Sequence, residues 1–307
     1  MQIYQHWQGL APEARGASVA MGNFDGVHLG HRAVIDLARK RGPLGIVTFE
    51  PHPRQYFAAA APAFRLMNAE ARSNRLAKLG VTRLFELPFD AALATLTPAE
   101  FVGAVLDAGL GVAHVVVGAD FCFGKGRAGA AGDLESLATA RGIGVTVADL
   151  LTSGSREISS TAIRQALSDG FPREAAAMLG HWHRIEGEVV QGEKRGRELG
   201  YPTANMALTG LHLPKFGVYA TRVDVLTGPQ AGSYLGASSL GVRPMFGENL
   251  PNLETYLMDF KGDLYGQHLS VALVDYLRPE LKFDGLPGLL AQIAKDVERA
   301  RKILAAL

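Results

Sequence analysis

The sequence predicts two domains of different class: an α/β domain built on a parallel sheet, then an antiparallel β-barrel or sandwich that ends in a helix. Three observations carry this. In the first half, short β-rich runs alternate with helical patterns, namely LGIVTFEP at 44, RLFELPF at 83, HVVVGADF at 114 and GVTVADLL at 144; such alternation places helices on the faces of a parallel sheet. After Gly180 the pattern turns into β runs separated by glycines: RIEGEVVQG, GVYATRVDVL, SYLGASSLG, LETYLMDF and HLSVALVDYL. That reads as antiparallel structure. Finally, Leu290, Ile293, Val297, Ala300 and Leu304 recur at helical spacing over 287–307, a closing helix with one apolar face. A length of 307 residues suits two cores, and the change of texture sets the boundary near His181.

The elements follow in order. A strand over 18–24 runs into a helix over 31–41, whose Val34, Leu37 and Ala38 keep helical spacing up to the stop at Gly42. After the strand at 44, Pro51-His52-Pro53 holds the chain extended. Thr97, Pro98 and Glu100 form a capping box with proline at the first helical position, and Gly109 ends that helix.

Composition limits the function. With 31 basic against 30 acidic residues the net charge is +1, so bulk electrostatics gives no support for a nucleic-acid or membrane-surface partner. The single cysteine, Cys122, excludes an intramolecular disulfide and a thiolate zinc cluster. No run approaches the roughly 18 consecutive apolar residues of a membrane span. The opening residues MQIYQHWQGLAPEARG lack the basic and apolar regions of an export signal. Together these predict a cytoplasmic protein, while no feature sets an oligomeric state.

The chemistry-bearing residues of the first half follow strand ends, where doubly wound sheets bind ligands. GNFDGVHLGH, residues 22–31, puts His28 and His31 three apart where a strand becomes a helix. They share one side of the helix, beside unpaired N–H groups that attract anions. Two imidazoles there suit the phosphate oxygens of a nucleotide. TFEPHPRQYF and GADFCFGKGRAG follow two other strands, and in ISSTAIR the hydroxyls of Ser160 and Thr161 precede a helix with Arg164 one turn on. Each has a plainer reading: a lone histidine pair is usually surface or core, Ser160 and Thr161 taken alone read first as a cap, and Pro51-His52-Pro53 serves equally as a turn. Gly124, Gly126 and Gly129 satisfy G-x-G-x-x-G, with Asp149 about twenty residues on. Yet the unit is not at the first strand, and Ala130 to Gly132 separate the third glycine from the expected helix.

In the second half VQGEKRGRELGYPTAN, residues 190–205, combines a glycine-hinged basic loop carrying Lys194, Arg195 and Arg197 with a proline-fixed Thr203 and Asn205. Basic residues attract phosphate, and the two neutral side-chain oxygens suit magnesium, which keeps several waters and borrows ligands from substrate phosphates. The alternative is a solvated basic hairpin loop. In LETYLMDF, Glu254, Tyr256, Met258 and Phe260 alternate onto one strand face. A strand glutamate is usually just exposed; opposite a magnesium-phosphate site it would accept a proton from an attacking hydroxyl.

Taken together, GNFDGVHLGH, TFEPHP, GADFCFGKGRAG, SSTAIR, GRELGYPTAN, GVYA, ETYLMDF, GDLYG and QIAKDVERAR resemble, in order and over the whole chain, the bacterial bifunctional riboflavin kinase/FAD synthetase family. The resemblance implies a Rossmann-like nucleotidylyltransferase domain with a parallel sheet over 1–182 and a six-stranded antiparallel flavokinase β-barrel with a C-terminal helix over 183–307. It implies ATP, riboflavin and FMN as substrates, FAD as product, and Mg2+ with ATP. In the first domain it gives His28 and His31 the adenylyl-transfer transition state. Gly22, Asn23, Phe24, Asp25, Asp120, Arg127, Ser160, Thr161 and Arg164 then bind ATP or FMN. In the second, Glu254 is the base, Thr203 and Asn205 hold the metal, and Gly192, Lys194, Arg197, Gly200, Pro202, Asp296 and Arg301 bind ATP or flavin.

Four positions depart from the family pattern: Cys122, Ser239, Met245 and Tyr256. None is an expected catalytic group; Met245 and Tyr256 flank the expected kinase pocket and bear on its affinity or flavin selectivity. Two rivals remain: a chain with one activity only, and a flavin-responsive binding module. Retention of His28, His31, Thr203, Asn205 and Glu254 argues against the module, since binding alone needs no carboxylate base.

Overall fold

A computed structural model describes residues 1–149, 151–153, 156–192, 196, 199–245 and 248–307. The chain divides into two compact units, Met1–Pro62 with Arg72–Ile158, and Ala63–Ala71 with Ser159–Leu307.

The first unit is a six-stranded sheet with the spatial order Gln2–Tyr4, Arg83–Pro88, Leu44–Glu50, Ser18–Met21, His114–Gly118, Gly144–Ala148, every pair parallel. Its central strands are buried on both faces, which is why they read as continuous apolar runs. The edge strand Gln2–Tyr4 was not expected; three residues, two of them exposed, are too few for a periodicity. Strand order reverses beside Ser18–Met21, which has Leu44–Glu50 on one side and His114–Gly118 on the other. The crevice of a doubly wound sheet opens at such a switch point.

Local signals place the helices. The capping box forms as expected: Thr97 N donates to Glu100 Oε2 at 2.8 Å and Glu100 N to Thr97 Oγ1 at 3.3 Å. Beyond Glu100 the helix widens to a π-helix over Phe101–Gly109. Its last carbonyls, those of Asp107, Ala108 and Gly109, accept from the Arg15 guanidinium. Pro51-His52-Pro53 is only partly extended. Pro53 opens the short helix Pro53–Phe57, and the His52 ring caps it by accepting from Arg54 N at 3.0 Å. Proline favours that outcome because its fixed φ suits the first helical position. Helix Ala131–Thr139 also starts earlier than expected, two residues after Gly129. Gly129 is required by packing, since a Cβ there would lie 2.7 Å from the Phe123 ring and 3.0 Å from Pro98.

The second unit is an antiparallel sheet of six strands, His183–Glu188, His268–Arg278, Gly217–Val225, Gly232–Met245, Glu248–Leu257 and Thr203–Ala207 in spatial order. The two outer strands meet through a bridge in which Val190 N donates to Asn205 O at 2.9 Å, curling the sheet into a barrel. Ile185, Tyr219, Val223, Leu240, Leu253, Leu257, Val271 and Leu273 fill the interior. The closing helix Leu286–Ala305 packs Ala300 and Leu304 on Val218, Ala220 and Val274 outside it. Helices Ser160–Asp169 and Pro172–Leu179 join this unit, with Ile163, Leu167 and Leu179 around Leu66.

Candidate functional site

In the first unit the loop after Ser18–Met21 is pinned at its root. Gly22 N donates to Val47 O at 3.1 Å, and Thr48 Oγ1 to Asn23 O at 3.3 Å. The chain then turns through three left-handed residues, Phe24 at φ 51°, Gly26 at 88° and Val27 at 45°. A β-branched residue such as Val27 adopts that region only under constraint, and such strain concentrates at functional sites. Phe24 and Asp25 are buried.

The turn delivers the chain to helix Leu29–Arg39, which begins two residues earlier than expected with His28 as its cap. His28 Nδ1 accepts from His31 N at 3.3 Å, a contact that needs the proton to be on Nε2. The two rings stack 3.7 Å apart at 19°, and Phe24 lies against His31 at 5.1 Å. Gly30 makes room for this, since a Cβ there would sit 3.1 Å from the His28 ring. Burial, and then the nearness of His28, push the His31 pKa well below its ordinary value. His31 is therefore neutral at pH 7 and offers a hydrogen bond rather than a charge; its Nδ1 is enclosed and has no partner among the described residues.

Asp120 follows the neighbouring strand His114–Gly118, with Oδ1 3.0 Å from where a Gly118 Cβ would lie. Gly22 to Asp25, His28 and His31 thus follow one strand, and Asp120 follows the strand paired beside it. Arg127 stands on an exposed turn, left-handed at φ 58°. Ser160, Thr161 and Arg164 lie in the second unit. There Ser159, not Ser160, is the helix cap, accepting from Ala162 N at 3.3 Å; Ser160 and Thr161 occupy the first turn. Arg164 donates Nε to Phe64 O at 2.6 Å, its guanidinium over the Phe64 ring.

Sequence reading also missed Arg72, 1% exposed, whose Nη2 reaches Glu50 at 2.9 Å and Glu86 at 2.7 Å. It ties down the strand ends before Pro51 and after Phe85. A buried arginine between two carboxylates leaves no periodic signal.

In the barrel unit, Thr203 and Asn205 of PTAN lie on a strand that begins at Thr203. Thr203–Ala207 pairs antiparallel with Glu248–Leu257, placing Asn205 directly opposite Glu254 and Thr203 opposite Tyr256. Opposed residues share a face with Cβ atoms about 4.5–5.5 Å apart, so the amide, the hydroxyl and the carboxylate converge. Pro202 is exposed immediately before this strand, and Gly200 turns the chain into it at φ 81°. Gly192 presses on the site from the preceding segment: a Cβ there would lie 2.6 Å from Asn205 Nδ2. Ser239 faces Glu254 from the other side, so this departure is closer to the expected base than Met245 or Tyr256 had suggested. Tyr256 packs edge-on against Tyr201. Lys194, Arg195 and Arg197 lie outside the described residues. Asp296 is held by Arg278, at 2.7 Å from Nη2, and by Gln292 at 2.9 Å. Arg301 forms a two-pronged pair with Asp259 at 2.7 and 3.1 Å. Asn252, 1% exposed beside Asn205, went unnoticed, although it precedes Glu254 by two residues on the same strand face.

Comparison with known proteins matches one family to each domain. A family model described as FAD synthetase matches residues 10–162, and one described as riboflavin kinase matches residues 179–304. A bifunctional riboflavin kinase/FMN adenylyltransferase of Pseudomonas fluorescens is 38% identical, covering 99% of this chain and 98% of that protein. Another, of Escherichia coli K12, is 39% identical over 97% and 95%. A crystal structure described as a macrolide-efflux protein of Streptococcus pneumoniae shares the architecture at a TM-score of 0.81, with 30% identity and 98% of each chain covered. Here, no helix among the described residues is long and apolar enough to cross a membrane. A relative's type of nucleotide-binding domain and barrel, matched in order along nearly the whole sequence, leaves one conclusion: the chain belongs to the bifunctional riboflavin kinase/FMN adenylyltransferase family.

Proposed function

We propose that the barrel unit transfers the γ-phosphoryl group of ATP to the ribityl 5′-hydroxyl of riboflavin, giving FMN and ADP. The parallel-sheet unit then transfers the AMP group of a second ATP to the FMN phosphate, giving FAD and pyrophosphate. The observation that carries the kinase assignment is the register that sets Asn205 opposite Glu254. It puts a carboxylate next to neutral oxygens, so Glu254 accepts the hydroxyl proton as the oxygen attacks phosphorus. Thr203 and Asn205 would hold magnesium; a carboxamide and a hydroxyl oxygen on one face, with Gly192 leaving the carboxamide room, fit an ion that takes few protein ligands. When bound, it neutralises charge on the transferring phosphate.

In the first unit His28 and His31 donate hydrogen bonds to phosphate oxygens as negative charge builds on the departing pyrophosphate, assisted by the unpaired N–H groups at the helix start. Gly22, Asn23, Phe24, Asp25 and Asp120 shape that crevice. Arg127, Ser160, Thr161 and Arg164 contribute to ATP or FMN binding. Asp296 and Arg301 act on the flavin side of the kinase site by keeping the closing helix in place. We keep the functional boundary at 182/183, a few residues inside the riboflavin kinase match, which begins at residue 179, and place the enzyme in the cytoplasm.

The test is a time course with riboflavin, ATP and Mg2+, following FMN, FAD, ADP and pyrophosphate. FMN should appear first and FAD after it, with one ADP per flavin phosphorylated and one pyrophosphate per FAD. Absence of both flavin products refutes the reading, and FMN without FAD leaves the kinase half alone.

A further inference from the structure

Asn252 lies on strand Glu248–Leu257 two residues before Glu254, so both side chains leave the strand on one face. The same face carries Asn205 and Thr203 from the neighbouring strand. Asn252 Nδ2 donates to Asn205 Oδ1 at 3.3 Å, and Asn205 Nδ2 donates to Thr203 O at 3.4 Å. These two contacts decide which way the Asn205 carboxamide faces: oxygen towards Asn252, nitrogen towards the backbone. Gly192 leaves the carboxamide this place, because a Cβ there would be 2.6 Å from Asn205 Nδ2.

Asn252 is itself anomalous. It is 1% exposed, and its Oδ1 is enclosed with no hydrogen-bond partner among the described residues. Leaving such an acceptor unpaired is costly, and buried polar atoms without partners are rare enough to need a cause. An apolar residue of similar volume would fill the position without that cost.

We infer that Asn252 is a positioning residue for the divalent cation of the kinase site. Its Nδ2 keeps Asn205 Oδ1 turned to ligate, and its Oδ1 accepts a hydrogen bond from a water carried by the cation. The inference rests on the assignment of Asn205 to magnesium made above. It follows from two general properties: magnesium keeps several of its waters when protein-bound, and groups that hydrogen-bond a ligand typically contribute ten- to a hundredfold in metal affinity.

The experiment uses the full-length protein with ADP and Mn2+ as probe, counting free Mn2+ by electron paramagnetic resonance. Asn205→Ala identifies which class of Mn2+ sites belongs to the kinase. Asn252→Leu, which keeps the branched shape of the side chain without its polar atoms, should weaken that same class by about tenfold or more. It should also raise by a similar factor the Mg2+ concentration giving half-maximal FMN formation, leaving the rate at saturating Mg2+ within about threefold and FAD formation from supplied FMN unchanged. If the urea midpoint read from tryptophan fluorescence shows that Asn252→Leu is misfolded, Asn252→Ala takes its place with the same criterion. If Asn205→Ala weakens a class and the Asn252 variant moves it by less than about tenfold, the role of Asn252 is refuted and the magnesium assignment stands. If Asn205→Ala moves no class, both fall together.

Discussion

Gly192→Ala is the sharpest structural test of the kinase site. The added Cβ would lie 2.6 Å from Asn205 Nδ2, 2.7 Å from Cγ and 2.9 Å from Oδ1, whereas carbon atoms pack at about 3.5 Å or more. Relief requires the carboxamide to retreat by roughly 0.8 Å. It cannot do so with its backbone, since Asn205 O is bonded to Val190 N at 2.9 Å and the residue is paired with Glu254 in the sheet. The side chain must therefore leave its place against Asn252. A displacement near 1 Å in a reacting assembly costs on the order of 10² in rate, so FMN formation should fall by about that factor. Adenylylation of supplied FMN, performed by the other unit, should not change. The assay follows both products by chromatography under saturating ATP and Mg2+. FMN formation within about threefold of the parent would mean that Asn205 is not held where the reaction needs it, and the reasoning would fail.

Other expectations concern each centre separately. His28→Ala should slow FAD formation by about 10²–10³ while FMN accumulates. Glu254→Gln should slow FMN formation by about 10²–10⁴ while FAD is still made when FMN is supplied; equal loss of both activities from either change contradicts two separate centres. A last expectation concerns stability against pH. Burial, then the nearness of His181 and His212, lower the His183 pKa from 6.5 to about 3. The unfolded chain therefore binds the proton first as pH falls, and stability is lost below pH 6.5. Between pH 7 and pH 5 the loss assigned to this residue is about 2 kcal/mol. Urea melts followed by tryptophan fluorescence should show His183→Gln escaping that loss, and parallel pH dependence in parent and variant would contradict it.

The features that the sequence made legible depend on neighbours along the chain. The apolar runs of the parallel sheet, the Thr97-Pro98-Glu100 capping box and the stripe of the closing helix are all set by residues within a turn or a strand of each other. The histidine pair was visible at a strand-to-helix junction for the same reason. What only the tertiary structure decided depends on residues far apart. Nothing near Thr203 announces a strand; it forms because Glu248–Leu257 supplies its hydrogen-bonding edge, and Val190 closes the other side. The stacking of His28 on His31 and the lowered pKa of His31 require burial that no spacing specifies. Asn205 and Asn252 stand 47 residues apart and meet only in the folded barrel. Local hydrogen bonds and periodicity are written in short windows of sequence; register, burial and the orientation of one amide are settled by packing between strands, and the kinase site consists of those.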